Sequence, residues 1–247
     1  METKTILKET KCGNVTFLSV YRKSTCAITK GNLDQPRRRL TPEEKEKHRN
    51  RIALNNAIIS VNAAFGDEAY FVTLTYADNH YFETTAKSVK NDMTNWIRRI
   101  KYEFPDAVVF AVYGEGGKYG RFHVHAIVEG LNRAEIKGKW AKGYVMIIST
   151  YIWNRIHRPG LATDYSYLTI YMMRHWSKEY GGHRYSLSRN APKPIVTSYE
   201  ITDEEYSLLR HPTKKGYKLV CKYETEYRGL LLRFVKRTKT QKKKGII

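Results

Sequence analysis

The sequence predicts an α+β fold in which helices pack on one face of a central antiparallel sheet, and three observations carry that expectation. Runs rich in β-branched and aromatic residues alternate with segments whose apolar residues recur at helical spacing. Two of the strand-like runs, Val108 to Glu115 and Arg121 to Glu129, are separated only by Gly116-Gly117-Lys118-Tyr119-Gly120, a link short enough for a hairpin. Such links join antiparallel neighbours, and 247 residues suit one core of this kind with terminal embellishments.

Residues 1–40 form an N-terminal extension whose single apolar run, Val15 to Tyr21, reads as a short strand. Thr41-Pro42-Glu43-Glu44 is a helix start: Thr41 caps, Pro42 takes the first helical position, and Glu44 closes a capping box. That helix runs to about Ala64, and its Lys45, Lys47, Arg49 and Arg51 read as a solvated face. Ala69 to Tyr76, bounded by Gly66-Asp67 and Asp78-Asn79, is a strand. From Thr85 to Tyr102 the apolar Val89, Met93, Trp96, Ile97 and Ile100 form one stripe of an amphipathic helix packed on the sheet. After the hairpin, Asn132-Arg133-Ala134-Glu135 caps a short helix with Ile136 and Trp140 inward, Gly143 to Ser149 is a strand, and a last helix spans about Ala162 to Glu179. Residues 41–195 are then the core domain. Residues 196–237 form a C-terminal extension packed on it, with an apolar run from Gly229 to Val235, and residues 238–247 a disordered basic tail.

A formal charge of +20, from 44 Lys and Arg against 24 Asp and Glu, makes a polyanion the natural partner. Nineteen Tyr interleaved with the basic residues offer flat faces to unpaired bases, which favours nucleic acid over a membrane and single strands over duplex. Cys12, Cys26 and Cys221 are odd in number and widely spaced, so they make neither a disulfide framework nor a zinc set, and a reducing cytoplasm is expected. No apolar run is long enough for a signal peptide or a membrane span. No phosphate-binding glycine loop followed by Lys-Ser or Lys-Thr is present, so any unwinding of DNA needs a motor from another protein.

Alternation along Arg121 to Glu129 sets His123, His125, Ile127 and Glu129 on one face. In the preceding strand Val109, Ala111, Tyr113 and Glu115 share a face, and a register pairing odd residues with odd brings Glu115 opposite His123 or near His125. Two imidazoles and a carboxylate suit a divalent cation with open coordination positions, Mg2+ or Mn2+ where phosphate chemistry is done. Without the carboxylate, His123 and His125 read as two ordinary surface histidines. In the last helix, 100° per residue places Tyr165, Leu168, Met172 and Trp176 on a buried stripe and Tyr167, Tyr171, Arg174 and Lys178 roughly opposite. Tyr167 and Tyr171 are one turn apart, and the adjacent Arg174 and Lys178 favour both a phosphate and a phenolate nucleophile. Lys118 and Arg121 beside the hairpin, with Arg174 and Lys178, are the candidate DNA contacts.

Gly114-Glu115 followed by Gly120-Arg121-Phe122-His123-Val124-His125, after the strand Phe71-Val72-Thr73-Leu74-Thr75-Tyr76 and before a helix with Tyr167 and Tyr171, resembles the HUH endonuclease superfamily. The closer similarity is to rolling-circle replication initiators of bacterial plasmids, integrated elements and small single-stranded DNA phages, reinforced by Asp164-Tyr165 to Tyr171 and then Arg184-Tyr185-Ser186-Leu187-Ser188-Arg189 and Pro192. The resemblance covers about residues 40 to 195 and implies an RRM-like or ferredoxin-like core. It also implies that His123, His125 and Glu115 ligate the metal, that Tyr171 is the principal nucleophile, and that Tyr167 matches a second tyrosine present in some members. Many relatives carry Lys shortly after the nucleophile, where this chain has Arg174 and His175. The expected activity is nicking and rejoining of a single-stranded origin or origin hairpin through a 5′-phosphotyrosine link, with a host helicase and polymerase as partners. The competing readings are a transposase or relaxase using the same site, a non-catalytic single-strand-binding module, and a basic structural protein.

Overall fold

A computed structural model describes residues 3–24, 41–78, 84–116, 121–174, 185–209, 211–213, 215–225 and 229–236. In chain order, β1 (Thr3–Cys12) and β2 (Val15–Ser24) form a hairpin, and α1 (Pro42–Ala64) leads to β3 (Tyr70–Thr75) and α2 (Ala86–Glu103). The hairpin β4 (Val108–Gly116) and β5 (Arg121–Glu129) follows, then α3 (Arg133–Gly138), β6 (Val145–Ser149), α4 (Thr150–His157) and α5 (Ser166–Arg174). The remaining described elements are β7 (Ser186–Leu187), β8 (Ile195–Ile201), α6 (Asp203–Leu209), β9 (Tyr217–Thr225) and β10 (Gly229–Lys236).

The fold is α+β, built on two five-stranded antiparallel sheets ordered β6-β3-β5-β4-β7 and β8-β1-β2-β10-β9. Local chemistry accounts for the helix starts. Thr41 with Glu44, Thr85 with Ser88 and Asn132 with Glu135 each make a reciprocal capping box, satisfying two of the backbone N–H groups that a helix start leaves open.

Helices cover both faces of the first sheet, not one as expected. Val89, Met93, Trp96 and Ile100 of α2 bury against Val72, Leu74, Ala111, Val124 and Ala126. On the other face Ala57 and Val61 of α1, Trp153 of α4, and Leu168 and Met172 of α5 bury against Phe71, Phe110 and Ile127. The strands therefore carry apolar residues on both sides, and the alternation that marks a half-solvated sheet is lost over much of their length. The helix expected over about 162 to 179 is described from Ser166 to Arg174, and α4 was not foreseen.

The second sheet is the larger departure. Where one short strand was read near the N-terminus there are two of ten residues, and β1 pairs with β8 while β2 pairs with β10. The two segments set apart as extensions thus pair with each other. Leu7, Val20, Leu230, Leu232 and Phe234 form its core. It meets the first unit at the β1–β2 turn, where Gly13 has φ +52 and a Cβ would lie 2.9 Å from the Asn62 carbonyl oxygen, and at Arg233, whose guanidinium is 3.8 Å from the Asp164 carboxylate. Cys12 is buried there, its thiol pushed up to about 12 by burial. The basic tail and Cys26 lie outside the described residues. No helix among the described residues is long and apolar enough to cross a membrane.

Gly143 sets how the chain enters β6. A Cβ there would lie 2.7 Å from the Tyr76 carbonyl carbon and closer still to the Thr75 carbonyl oxygen and the Ala77 nitrogen, all backbone atoms that cannot swing aside. Around it, Thr75 N–H donates to the Tyr144 carbonyl at 2.9 Å and Ala77 N–H to the Lys142 carbonyl at 3.0 Å. Gly143→Ala is expected to break this pairing and destabilise the chain by about 2–3 kcal/mol, as overpacking of a rigid site does. Thermal denaturation reads it, and a variant melting like the parent would contradict the close approach.

Candidate active site

Strand alternation and register fix what lies beside the two histidines. β3 pairs Thr73 with His125 and Thr75 with His123, while β4 pairs Val112 with His125 and Gly114 with His123. His125 is buried and His123 half-buried, so they are not the pair of surface histidines that the plainer reading supposed. Their ring centroids are 4.5 Å apart at 70°. Each ring is held by its Nδ1: that of His123 is 3.1 Å from the Arg121 carbonyl oxygen, and that of His125 is 3.1 Å from Thr73 Oγ1. Holding one ring nitrogen with a protein oxygen is how imidazoles are oriented to offer the other nitrogen to a metal, so the pair fits two ligand positions of a divalent site.

The predicted position of Glu115 needs correction. Gly116 pairs with Arg121 across a four-residue connection, which couples even residues to odd ones, so Gly114 and not Glu115 lies opposite His123. Glu115 pairs with Phe122, a register position that alternates with the histidines. Its side chain lies outside the described residues. Among those described, no group of three or more His, Cys, Asp or Glu could hold a metal.

α5 brings the tyrosines. Asn62 of α1, itself buried, accepts the Tyr165 N–H on Oδ1 at 3.0 Å and donates through Nδ2 to the Ile58 carbonyl at 2.9 Å. Asp164 Oδ1 accepts the Ser166 N–H at 2.9 Å, and the Tyr165 hydroxyl, pushed up in pKa by burial, bonds the Gly66 carbonyl and Thr150 Oγ1. The helix start is thereby pinned to α1 and to the end of β6. Leu168 and Met172 are buried as the helical stripe predicted, whereas Trp176 lies outside the described residues.

The opposite stripe is not open to solvent, because α4 covers it. Tyr171 is half-buried, with its ring centroid 5.5 Å from that of His125, 5.5 Å from Trp153 and 6.1 Å, edge-on, from Phe71. Tyr167, one turn back, packs against Trp153 and His157 with the Arg158 guanidinium 4.6 Å over its ring. The structure therefore brings Tyr171 to the histidines and sets Tyr167 beside α4. Arg121 is exposed and paired with Asp78 at 3.1 Å, and Arg174 is exposed. Lys118, Lys178 and His175 lie outside the described residues.

Sequence reasoning missed Thr73, Asn62 and Trp153. Thr73 and Thr75 were visible as polar residues continuing the buried face of Phe71, which was a usable signal. Nothing local distinguishes Asn62, whose partners lie on a distant segment.

Residues 69–176 match the family model of the replication-associated protein ORF2. That span runs from the residue before β3 to beyond α5, and so takes in both histidines and both tyrosines. No curated protein and no solved structure gives a significant match.

Proposed function

A replication-associated domain of the rolling-circle Rep type occupies residues 69–176, and from it we propose that the chain nicks and rejoins single-stranded origin DNA with Tyr171 as nucleophile. The observation that carries this is the 5.5 Å separation of the Tyr171 and His125 rings on a strand that also bears His123. The Tyr171 hydroxyl attacks the scissile phosphorus. An O–P bond to tyrosine forms, the P–O3′ bond breaks, and the departing 3′ oxygen takes up the proton that the phenol loses. The products are a 5′-phosphotyrosine link and a 3′-hydroxyl that a host polymerase extends once a host helicase opens the duplex. Rejoining is the reverse transfer, made by a new 3′-hydroxyl.

His123 and His125 would hold Mg2+ or Mn2+, with Glu115 as third ligand if the hairpin end departs from its regular register. When bound, the cation would neutralise charge on the scissile phosphate. Thr73 keeps the His125 ring in its ligating orientation, and Trp153 and Phe71 wall the Tyr171 ring so that its hydroxyl has little freedom to leave the site. Tyr167 is the alternative nucleophile, and its packing under Arg158 argues for a lesser part.

The test is a covalent adduct between the protein and a labelled single strand in the presence of Mn2+. Tyr171→Phe is expected to abolish the adduct and Tyr167→Phe to reduce it less than tenfold. An undiminished adduct in both variants sinks the assignment, and an adduct lost only in Tyr167→Phe transfers the role.

A further inference from the structure

The face that bears the histidines continues past them to an exposed sheet edge. β3 pairs Thr73 with Met146 as well as with His125, so Met146, Thr73, His125 and Val112 form one row across four strands. The next row is continued by Tyr144, whose carbonyl accepts the Thr75 N–H at 2.9 Å, and comprises Tyr144, Thr75, His123 and Gly114. The preceding row, Ile148, Phe71, Ile127 and Phe110, lies under α1, α4 and α5. Beyond that cover, Tyr144 is 72% exposed and Met146 56% exposed, which is unusual for an aromatic and a thioether side by side on a sheet.

The profile of these rows is that of a channel with a raised rim. The bulky Tyr144 and Met146 stand on the edge strand, the short Thr73 and Thr75 follow, and the histidines lie two strands in, roughly 10 Å from the rim at the usual strand spacing. Two residues along a strand separate Tyr144 from Met146 by about 6.8 Å, about twice the ~3.4 Å base spacing of a stacked strand. A strand seated there has its bases drawn apart, which leaves its backbone open to attack. Resting on the function proposed above, we infer that Tyr144, flanked by Met146, is a stacking subsite for an unpaired base one or two nucleotides from the scissile phosphate.

The occupant is a single strand because a base stacks on a lone ring only when its face is not already covered by neighbours. The chain's charge of +20 attracts the polyanion to which that base belongs. A protein partner would also cover an apolar rim, but the continuity of the rim with the histidine rows favours the nucleic acid. The rim is a specificity and positioning element. It does no chemistry.

The experiment uses the full chain without added divalent metal, so that binding is read in the absence of cleavage. The probe is a short oligothymidylate with one 2-aminopurine placed in turn at each position, whose fluorescence is quenched on stacking. Wild type is expected to quench at one or two positions. Tyr144→Ala is expected to relieve that quenching and weaken single-strand affinity by about 5- to 100-fold, while Tyr144→Trp restores both. The side chain's exposure keeps the fold intact in these variants, which circular dichroism checks. Unchanged affinity and quenching in Tyr144→Ala overturns the inference, as does an equal loss of affinity for duplex, which would mark a general surface effect. Tyr171→Phe is expected to leave the quenching unaltered, so a failure of the proposed cleavage and a failure of the stacking subsite give different results.

Discussion

Replacing His125 by Ala is expected to lower metal-dependent cleavage by about a thousandfold, since several kcal/mol of charge stabilisation at the phosphate depend on the bound cation. The imidazole is buried, its Nδ1 held by Thr73, and its ring beside that of Tyr171, so its loss removes a ligand and one wall of the nucleophile's seat together. The two contributions separate by measurement. Mn2+ affinity, read by titration calorimetry, falls in His125→Ala and falls by about 10- to 100-fold in Thr73→Val, where the ligand remains but its orienting partner is gone. Glu115→Gln read in the same assay decides whether the hairpin carboxylate is a ligand in spite of its register. Cleavage by His125→Ala at the parent rate would remove the metal from the proposal.

The largest effect on stability is expected at Asn62. Its side chain is buried between α1 and the start of α5, accepting the Tyr165 N–H and donating to the Ile58 carbonyl. Asn62→Ala leaves that N–H without its acceptor and opens a small cavity, at a combined cost of about 3–4 kcal/mol. For a chain of this size the melting temperature then falls by roughly 6–15 °C. Because α5 carries Tyr171, adduct formation is expected to slow even well below the melting temperature, as small misplacements of a nucleophile do. Asn62→Asp keeps an acceptor for Tyr165 but loses the amide donor and buries a charge, so it is not expected to rescue. A melting temperature within about 2 °C of the parent would show that α5 is held by other means.

How much of this was legible in the sequence depends on whether the determinant is local. The capping boxes at Thr41 and Asn132 announce their helices because cap and box residue lie three positions apart. The stripe of Val89, Met93, Trp96 and Ile100 announces α2 because burial follows helical period. The His-x-His face follows from strand alternation alone. The place of Glu115 does not: it depends on the parity of a four-residue hairpin connection, and one residue either way moves a side chain to the other face. The half-buried state of Tyr171 depends on α4, whose Trp153 fills a space that a helical wheel of α5 shows as solvent. The second sheet was least legible, since each of its strands reads as weak in isolation and gains its meaning from a partner far along the chain.

That pairing has a consequence for synthesis. Lys4 of β1 and Glu200 of β8 meet across a separation of 196 residues, so a ribosome that has released the first hairpin must go on translating for about 10–40 s before the flanking strands exist. During that interval the replication-associated domain can close around its own helices, while the hairpin waits with two unclaimed edges and with Leu7 and Val20 uncovered. The slow step in making this protein is then the late capture of its beginning by its end. Chaperone demand falls on the segment farthest in the chain from the tyrosine.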